Sequence, residues 1–486
     1  MHRLRAINSW LADYLWLLRP WAMRRISLLR FNALAGYARH PRTVLYCEEL
    51  AWFESWNQEL VAVLIQDDTD KDFAGMILGR DDRQRFRWTA STDFHRSRLR
   101  AFACLKREIV RLSGMPDSFH HQLDQTGTAL DFFTPVVSEN RLNPGFVKLA
   151  TSEGFSPARG IIEPMMKWYE DVDGNFVQQF QTTGFDARIW ELYLFAAFVE
   201  MGFLIERIHA VPDFNCRGLL GSLAVEAVTV NPTQGPGGKP MPLPPRSTPE
   251  EIRVFLKQYM PIKFGSALTS KLRKRYWEKP SAAGLPLIFA VHDFHAPQSM
   301  TFTRSSLPIY LYGYDWDWTK KNGILQILPR VVKTHHFAHK TIPSGFFNLE
   351  NAENISAIIF SNSGTISKFN RLGYAAGFGS RNVRMVRVGF ALDPDPNATD
   401  PRPFRANVYN RSYSENWTEG VEVFHNPRAL TPIGDELLPG AVHHRLRSDG
   451  QMVSLGPRWH PLSSNTLITI KPASWLERIA DYLTKN

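Results

Sequence analysis

From Asp186 to Met201 the chain reads as a nearly unbroken apolar run, with every position between Ile189 and Val199 apolar except Glu191. The length and density of that run predict a helix over about 186–201, buried on most sides and stopped by Gly202. The pattern then shortens. The segments 203–211, 212–216 and 219–230 predict three strands separated by turns. Residues 231–246 are dense in proline and glycine and predict a surface loop. Ser247-Thr248-Pro249-Glu250-Glu251 is a helix start, with a capping hydroxyl, proline in the first turn and early acids. Helices are predicted over about 249–260 and 266–279. Residues 285–294, Leu-Pro-Leu-Ile-Phe-Ala-Val-His-Asp-Phe, follow as a buried strand. The order is helix, three strands, helices, strand.

The flanks carry weaker patterns. Residues 43–50, 59–68 and 73–81 predict strands, the last two paired across a charged turn. Residues 97–112 predict an amphipathic helix with Leu99, Phe102, Leu105, Ile109 and Leu112 on its apolar face. Beyond residue 300, the segments 355–362, 383–390 and 466–472 predict short strands, and 474–485 predicts a closing helix. The expectation is an α/β protein in three parts: a mixed α/β unit over 1–160, a central core over 161–300 and a β-rich unit over 301–486 with no assigned role.

Composition narrows the partners. The chain has 486 residues, of which 44% are hydrophobic and 21% charged, which argues against global disorder. Lys plus Arg outnumber Asp plus Glu by 57 to 47, a formal charge of +10 that favours an anionic partner such as nucleic acid. The 3 cysteines, Cys47, Cys104 and Cys216, form no disulfide framework and suit a reducing, cytoplasmic setting. No apolar run reaches the roughly 18 residues needed to span a bilayer. The first 43 residues carry eight arginines against the single acid Asp13, with Trp10, Leu11, Leu15, Leu17, Leu18 and Trp21 between them. That composition suits a helix that packs on the protein or touches nucleic acid. It also suits an amphipathic membrane helix or a transit segment.

Three acids stand out against apolar surroundings. Glu191 lies in the middle of the apolar helix, where an unpaired carboxylate costs several kcal/mol. A salt bridge to Arg188, three residues back, is the plain structural alternative. Asp213 follows Pro212 at the start of one strand, and Glu226 interrupts the apolar strand 222–230. Two carboxylates on neighbouring strands repel unless a divalent cation lies between them, and an oxygen-only donor set suits Mg²⁺ or Mn²⁺. A turn-capping Asp213 and a strand-edge Glu226 are the bland readings.

This succession resembles the PD-(D/E)XK nuclease superfamily over about residues 186–295. The resemblance implies a restriction-endonuclease-like core and metal-assisted hydrolysis of phosphodiester bonds, with DNA or RNA as substrate. It places the metal on Asp213 and Glu226 and matches Glu191 to the acid often found on the first core helix. One position departs from the pattern: Val228 stands where the superfamily has a lysine on the strand of Glu226. Some members supply that lysine from the following helix, and Lys271 is the candidate here. Lys271, Arg273, Lys274 and Arg275 read equally as a solvated basic face or as contacts to a phosphate backbone. The chain is also similar to uncharacterised bacterial proteins of mobile-element defence islands, which implies an anti-phage role, either as a homo-oligomer or with a defence-system partner. A degenerate core that binds nucleic acid or a partner protein without cutting is the alternative.

Other clusters rank lower. His335 and His339 have a spacing that would suit Zn²⁺ on a helix, but no HExxH pattern or nearby cysteine pair accompanies them. His292, Asp293 and His295 end the last core strand. Gly377, Gly379 and Arg381 read as a tight turn.

Overall fold

The computed structural model describes residues 23–471, apart from residues 123, 125–128, 170, 172–173, 207–208, 236, 238 and 411. The predicted helix over 474–485 and the Arg/Trp-rich positions before residue 23 lie outside the described residues. The protein is mixed α/β with several sheets.

The predicted apolar helix is present as α1, Phe185–Glu200, and eleven of its sixteen residues are buried, Glu191 among them. After it come β1 (Leu204–Glu206), β2 (Phe214–Arg217), β3 (Ser222–Val230), the helix α2 (Met260–Leu272) and β4 (Leu287–Asp293). β1, β2 and β3 pair antiparallel, and β4 pairs parallel to β3. The parallel pair requires a crossover, which the proline-rich loop and α2 supply.

The sheet continues past residue 300. It adds β5 (Ile355–Ser361), β6 (Val421–His425), β7 (Val442–Leu446) and β8 (Met452–Leu455), with α3 (Ile366–Ala375) between β5 and β6. The eight strands lie side by side in chain order from β1 to β8. The expected boundary at 300 therefore falls inside one continuous sheet, and the boundary at 160 falls inside the helix Ser156–Met166. Alternate residues of β3 face opposite layers. Val225 joins the cluster around α1, and Ala224 and Val228 join the cluster under α2.

The two predicted helices between residues 249 and 279 form one helical run, which ends earlier than expected. Its first turns span Pro249–Val254, with the capping box that Thr248 and Glu251 promise. A π-helical turn over Phe255–Tyr259 then leads into α2. Pro261 has no N–H to give back to the preceding turn, and the wider π turn accommodates that loss. The run stops at Leu272, and Arg275 adopts a left-handed backbone with φ +51°.

The N-terminal part is an antiparallel meander of Met23–Ile26, Cys47–Ser55, Leu60–Asp67, Phe73–Arg80 and Phe86–Ser91. The predicted hairpin is there, with Gln66 opposite Phe73. The helix Arg98–Ser113 buries Leu105, Ile109 and Leu112 on this sheet. Leu99 departs from its expected place on the apolar face: it lies in the first turn and is 81% exposed. The described arginines of this part are largely spoken for. Arg24 and Arg30 both bind Glu54, and Arg39 binds Glu49. A separate antiparallel sheet of Val383–Ala391, Arg402–Asn407 and Pro461–Ile470 carries the later predicted strands.

A buried ionic network fastens α3. Glu415 accepts from Arg371 Nη2 at 2.7 Å and lies 3.1 Å from Lys368 Nζ, and Arg387 bridges it to Glu419. Burial alone would raise the Glu415 carboxyl; Arg371, Lys368 and Arg387 outweigh burial and hold it well below its ordinary 4.5. Three cations and two carboxylates that stabilise one another become a liability when one member goes. Glu415→Gln should cost about 3–5 kcal/mol in urea unfolding, because it strands buried positive charge. The depressed carboxyl also contributes stability only above its unfolded value, so this contribution should vanish as pH falls below about 4.5 toward the folded value. A Glu415→Gln protein whose melting temperature matches wild type at pH 7 would contradict this account.

Candidate active site

Asp213 immediately precedes β2, whose first residue, Phe214, pairs with Val225 on β3. Continuing that antiparallel register sets Asp213 opposite Glu226. The Ala227 N–H donates to Asp213 Oδ2 at 2.8 Å, which fixes the carboxylate against β3. Glu226 points to the α2 side of the sheet, since it alternates with Ala224 and Val228, and it is 5% exposed.

Glu226 does not stand alone on that face. Lys271, in the last turn of α2, forms an ion pair with Glu226 Oε1. The Tyr276 hydroxyl donates to the same oxygen at 2.7 Å. Val228 occupies the expected lysine position, and it is packed in the apolar cluster with Phe264, Leu268 and Leu272. A lysine at 228 would have to bury its ammonium among those side chains. The helix that covers this face instead brings a lysine from its own end, where Lys271 keeps 24% of its side chain exposed and reachable from solvent.

Glu191 approaches from α1. Arg188 Nη1 lies 2.8 Å from Glu191 Oε2, and the Tyr169 hydroxyl donates to that same oxygen at 2.7 Å. The plain alternative of an Arg188 salt bridge is thus realised, and the helix tolerates its buried acid because it is paired. Glu191 still acts on Asp213. Burial, Glu191 and Glu226 together hold the Asp213 carboxyl well above its ordinary 3.8, and Lys271 opposes them. Burial and the Glu226 charge likewise push the Tyr276 phenol up, which keeps its proton available for donation.

The structure therefore brings Glu191, Asp213, Glu226 and Lys271 into one electrostatic unit. A hard divalent cation fits the donor set: Asp213 and Glu226 are neighbouring carboxylates, each with one oxygen not claimed by the hydrogen bonds just described. The three acids do not close around a single point. Among the described residues, three ligand atoms lie within 4.8 Å of one another only at His425, Asp435 and His443, far along the sheet. Glu191 is accordingly an electrostatic neighbour and not a third ligand.

The basic run divides. Lys271 turns inward, Arg273 and Lys274 are exposed beyond the helix end, and Arg275 pairs with Glu278. Arg273 and Arg275 line a cleft of about 670 Å³ together with Lys340 and Glu350. The two lower-ranked histidine clusters have structural surroundings. His335 sits on the strand Thr334–Phe337, not on a helix, and its ring nitrogens lie 2.8 Å from Lys257 O and Ser344 Oγ. His292 is enclosed between Trp190 and Phe294, and burial pushes it down to about 3. Tyr169 and Tyr276 were not singled out as site residues in the sequence. Each lies in an aromatic-rich stretch, and only the fold shows that its hydroxyl faces an acid.

A carboxyl raised above its ordinary value favours the folded state only while protonated, so ionised Asp213 should cost stability at neutral pH. Asp213→Asn keeps an acceptor for the Ala227 N–H and removes the repulsion. In chelator at pH 7.5 it should raise the melting temperature by on the order of 2 °C, and the gain should shrink on acidification. Added Mg²⁺ should raise the wild-type melting temperature and leave the variant unmoved. A lower melting temperature for Asp213→Asn would contradict the repulsion account.

The site stands on its own chemistry, since no known family, curated protein or solved structure matches this chain.

Proposed function

We propose that the chain is a metal-dependent nuclease that hydrolyses phosphodiester bonds, with DNA the favoured substrate and anti-phage defence the setting. The observation that carries this reading is the ion pair of Lys271 with Glu226. It returns to the second acid of the site the cation that Val228 does not supply. The topology supports the same reading. Helix, three antiparallel strands, helix and a strand parallel to the third is the order of a restriction-endonuclease-like core.

Asp213 and Glu226 would hold Mg²⁺ or Mn²⁺, which when bound supplies Lewis acidity toward the phosphate and makes water a stronger acid. The rest is the work of the chain. The Ala227 N–H holds the Asp213 carboxylate in place, and the Tyr276 hydroxyl holds Glu226. The Lys271 ammonium, released from Glu226 when substrate enters, donates to the attacking water or to the oxygens of the pentavalent phosphorus, where charge grows. Glu191, itself fixed by Arg188 and Tyr169, adds negative potential that favours a cation at Asp213. Arg273, Lys274 and Arg275 lie at the end of the same helix and would contact flanking phosphates.

A second reading has its own observation. Glu226 Oε1 already receives both Lys271 and Tyr276, so the acid is neutralised without any metal. A protein in that state could bind nucleic acid without cutting it.

Purified protein should cut plasmid DNA with Mg²⁺ or Mn²⁺ and fail in chelator. Asp213→Ala and Glu226→Ala should abolish cutting, and Lys271→Ala should slow it by about 10²–10³-fold. Replacing Arg273 and Lys274 together by alanine should weaken DNA binding and lower its salt dependence. Cutting that survives both acid substitutions would overturn the assignment. DNA binding without cutting by wild type would favour the second reading.

A further inference from the structure

At the other end of the eight-stranded sheet, β6 and β7 run parallel, yet the segment between them, 426–441, contains no α-helix. Parallel neighbours are usually joined by a helix that pays for the crossover with its own packing. Here the crossover holds only a short 3₁₀ turn at Asp435–Leu437. Three side chains converge over it: His425, the last residue of β6; Asp435, in that turn; and His443, the second residue of β7.

Their facing atoms form a small triangle. His425 Nε2 lies 2.9 Å from His443 Nδ1, His443 Nδ1 lies 3.2 Å from Asp435 Oδ1, and His425 Nε2 lies 3.5 Å from that oxygen. A tetrahedral ion with bonds of roughly 2.0 Å sets its ligands about 3.3 Å apart, and the three edges bracket that value. The outer nitrogen of His443 faces the Leu438 carbonyl at 3.1 Å. An N–H donated there leaves the Nδ1 lone pair pointing inward, and this is the second contact that metal-binding histidines commonly make. Both imidazoles are buried, and so is the inward oxygen Asp435 Oδ1, while the rest of the Asp435 side chain is 39% exposed.

We propose that His425, Asp435 and His443 form a Zn²⁺-class site that clasps the irregular β6–β7 crossover to the sheet. Two imidazoles and one carboxylate are a borderline donor set, suited to Zn²⁺ and Co²⁺ and poorly suited to Mg²⁺. One ion would join both ends of the crossover to its middle and so offset the entropy of ordering a segment with little regular structure. One cation stands against the site: Arg445 Nη2 lies 2.6 Å from Asp435 Oδ1 and 3.5 Å from His425 Nδ1. Its side chain is 40% exposed and is free to turn to the outer carboxylate oxygen or to water.

The test uses the full-length protein stripped with chelator and titrated with Zn²⁺ by calorimetry, and with Co²⁺ by visible absorption. Wild type should take up one equivalent of Zn²⁺ and give the intense Co²⁺ bands of four-coordination. Asp435→Asn, a surface-turn change whose folding is checked by circular dichroism, should bind at least about tenfold more weakly, as should His443→Gln. Arg445→Gln should bind more tightly, a result that a merely structural role for these residues would not give. Asp213→Ala should leave this uptake unchanged, which separates the site from the proposed nuclease centre. Limited proteolysis should show the crossover protected by Zn²⁺. Uptake that is absent in wild type, or equal in wild type and both ligand variants, would overturn the proposal and leave a proton shared between the two imidazoles.

Discussion

A helix that is apolar on every side cannot lie on a surface, and α1 is such a helix. The chain must enclose it, and much of the architecture follows from that demand. The sheet and the segment before β6 cover one side, where Trp190 Nε1 donates to the Ala290 carbonyl of β4 at 3.0 Å and Tyr193 donates to the Trp417 carbonyl at 2.8 Å. Aromatic residues from the segment before it cover the other, among them Tyr169, Phe176 and Phe180. The loop after β5 comes so close that a Cβ on Gly364 would lie 2.4 Å from the Trp190 ring. Glu191 can exist in that enclosure only because Arg188 and Tyr169 accompany it. The acid that bears on the candidate site is thus held by the same packing that orders the core.

Residues whose role is set by near neighbours in the chain were legible from the sequence. The apolar density of 185–200, the capping pattern at Thr248–Glu251 and the hydrophobic run of β4 each announce their element. Glu226 was also conspicuous as a charge in an apolar run, and Asp213 as the acid after Pro212, whereas Lys271 stood among three other basic residues and was marked out only by the resemblance. Features that depend on distant partners were not. Leu99 fits the helical period but overhangs the sheet it should cover. Glu415 and Arg371 are 44 residues apart and look like ordinary polar positions until burial joins them. His425, Asp435 and His443 have no spacing that marks a ligand set, since a strand, a turn and a second strand bring them together. The continuation of the sheet past residue 300 was hidden for the same reason: strand pairing at long range leaves no period in the sequence.

The candidate site shows how a fold can bring a positive charge to a strand face that cannot carry one itself. The α2-facing side of β3 is committed to apolar packing at Ala224, Val228 and Val230, which leaves Glu226 as the one acid on that face. A cation for Glu226 then has to come from the edge of the covering helix, where a long side chain can keep its stem in the core and its head near water. Lys271 meets that requirement in the final turn of α2, and a proton-donating tyrosine five residues later completes the polar pocket.

The unbroken order of the eight strands has a consequence for inheritance and synthesis. Strands placed by residues 204–293 find half of their sheet only after residues 355–455 have been made. The nascent chain must therefore wait, with β4 lacking a neighbour on one side, until more than sixty further residues separate it from β5. Long-range pairing of this kind slows folding and exposes a strand edge on the way. A core laid out in this manner is poorly suited to being excised and reused as a module. It is expected to pass between genomes as a whole chain, under selection to keep its distant halves compatible.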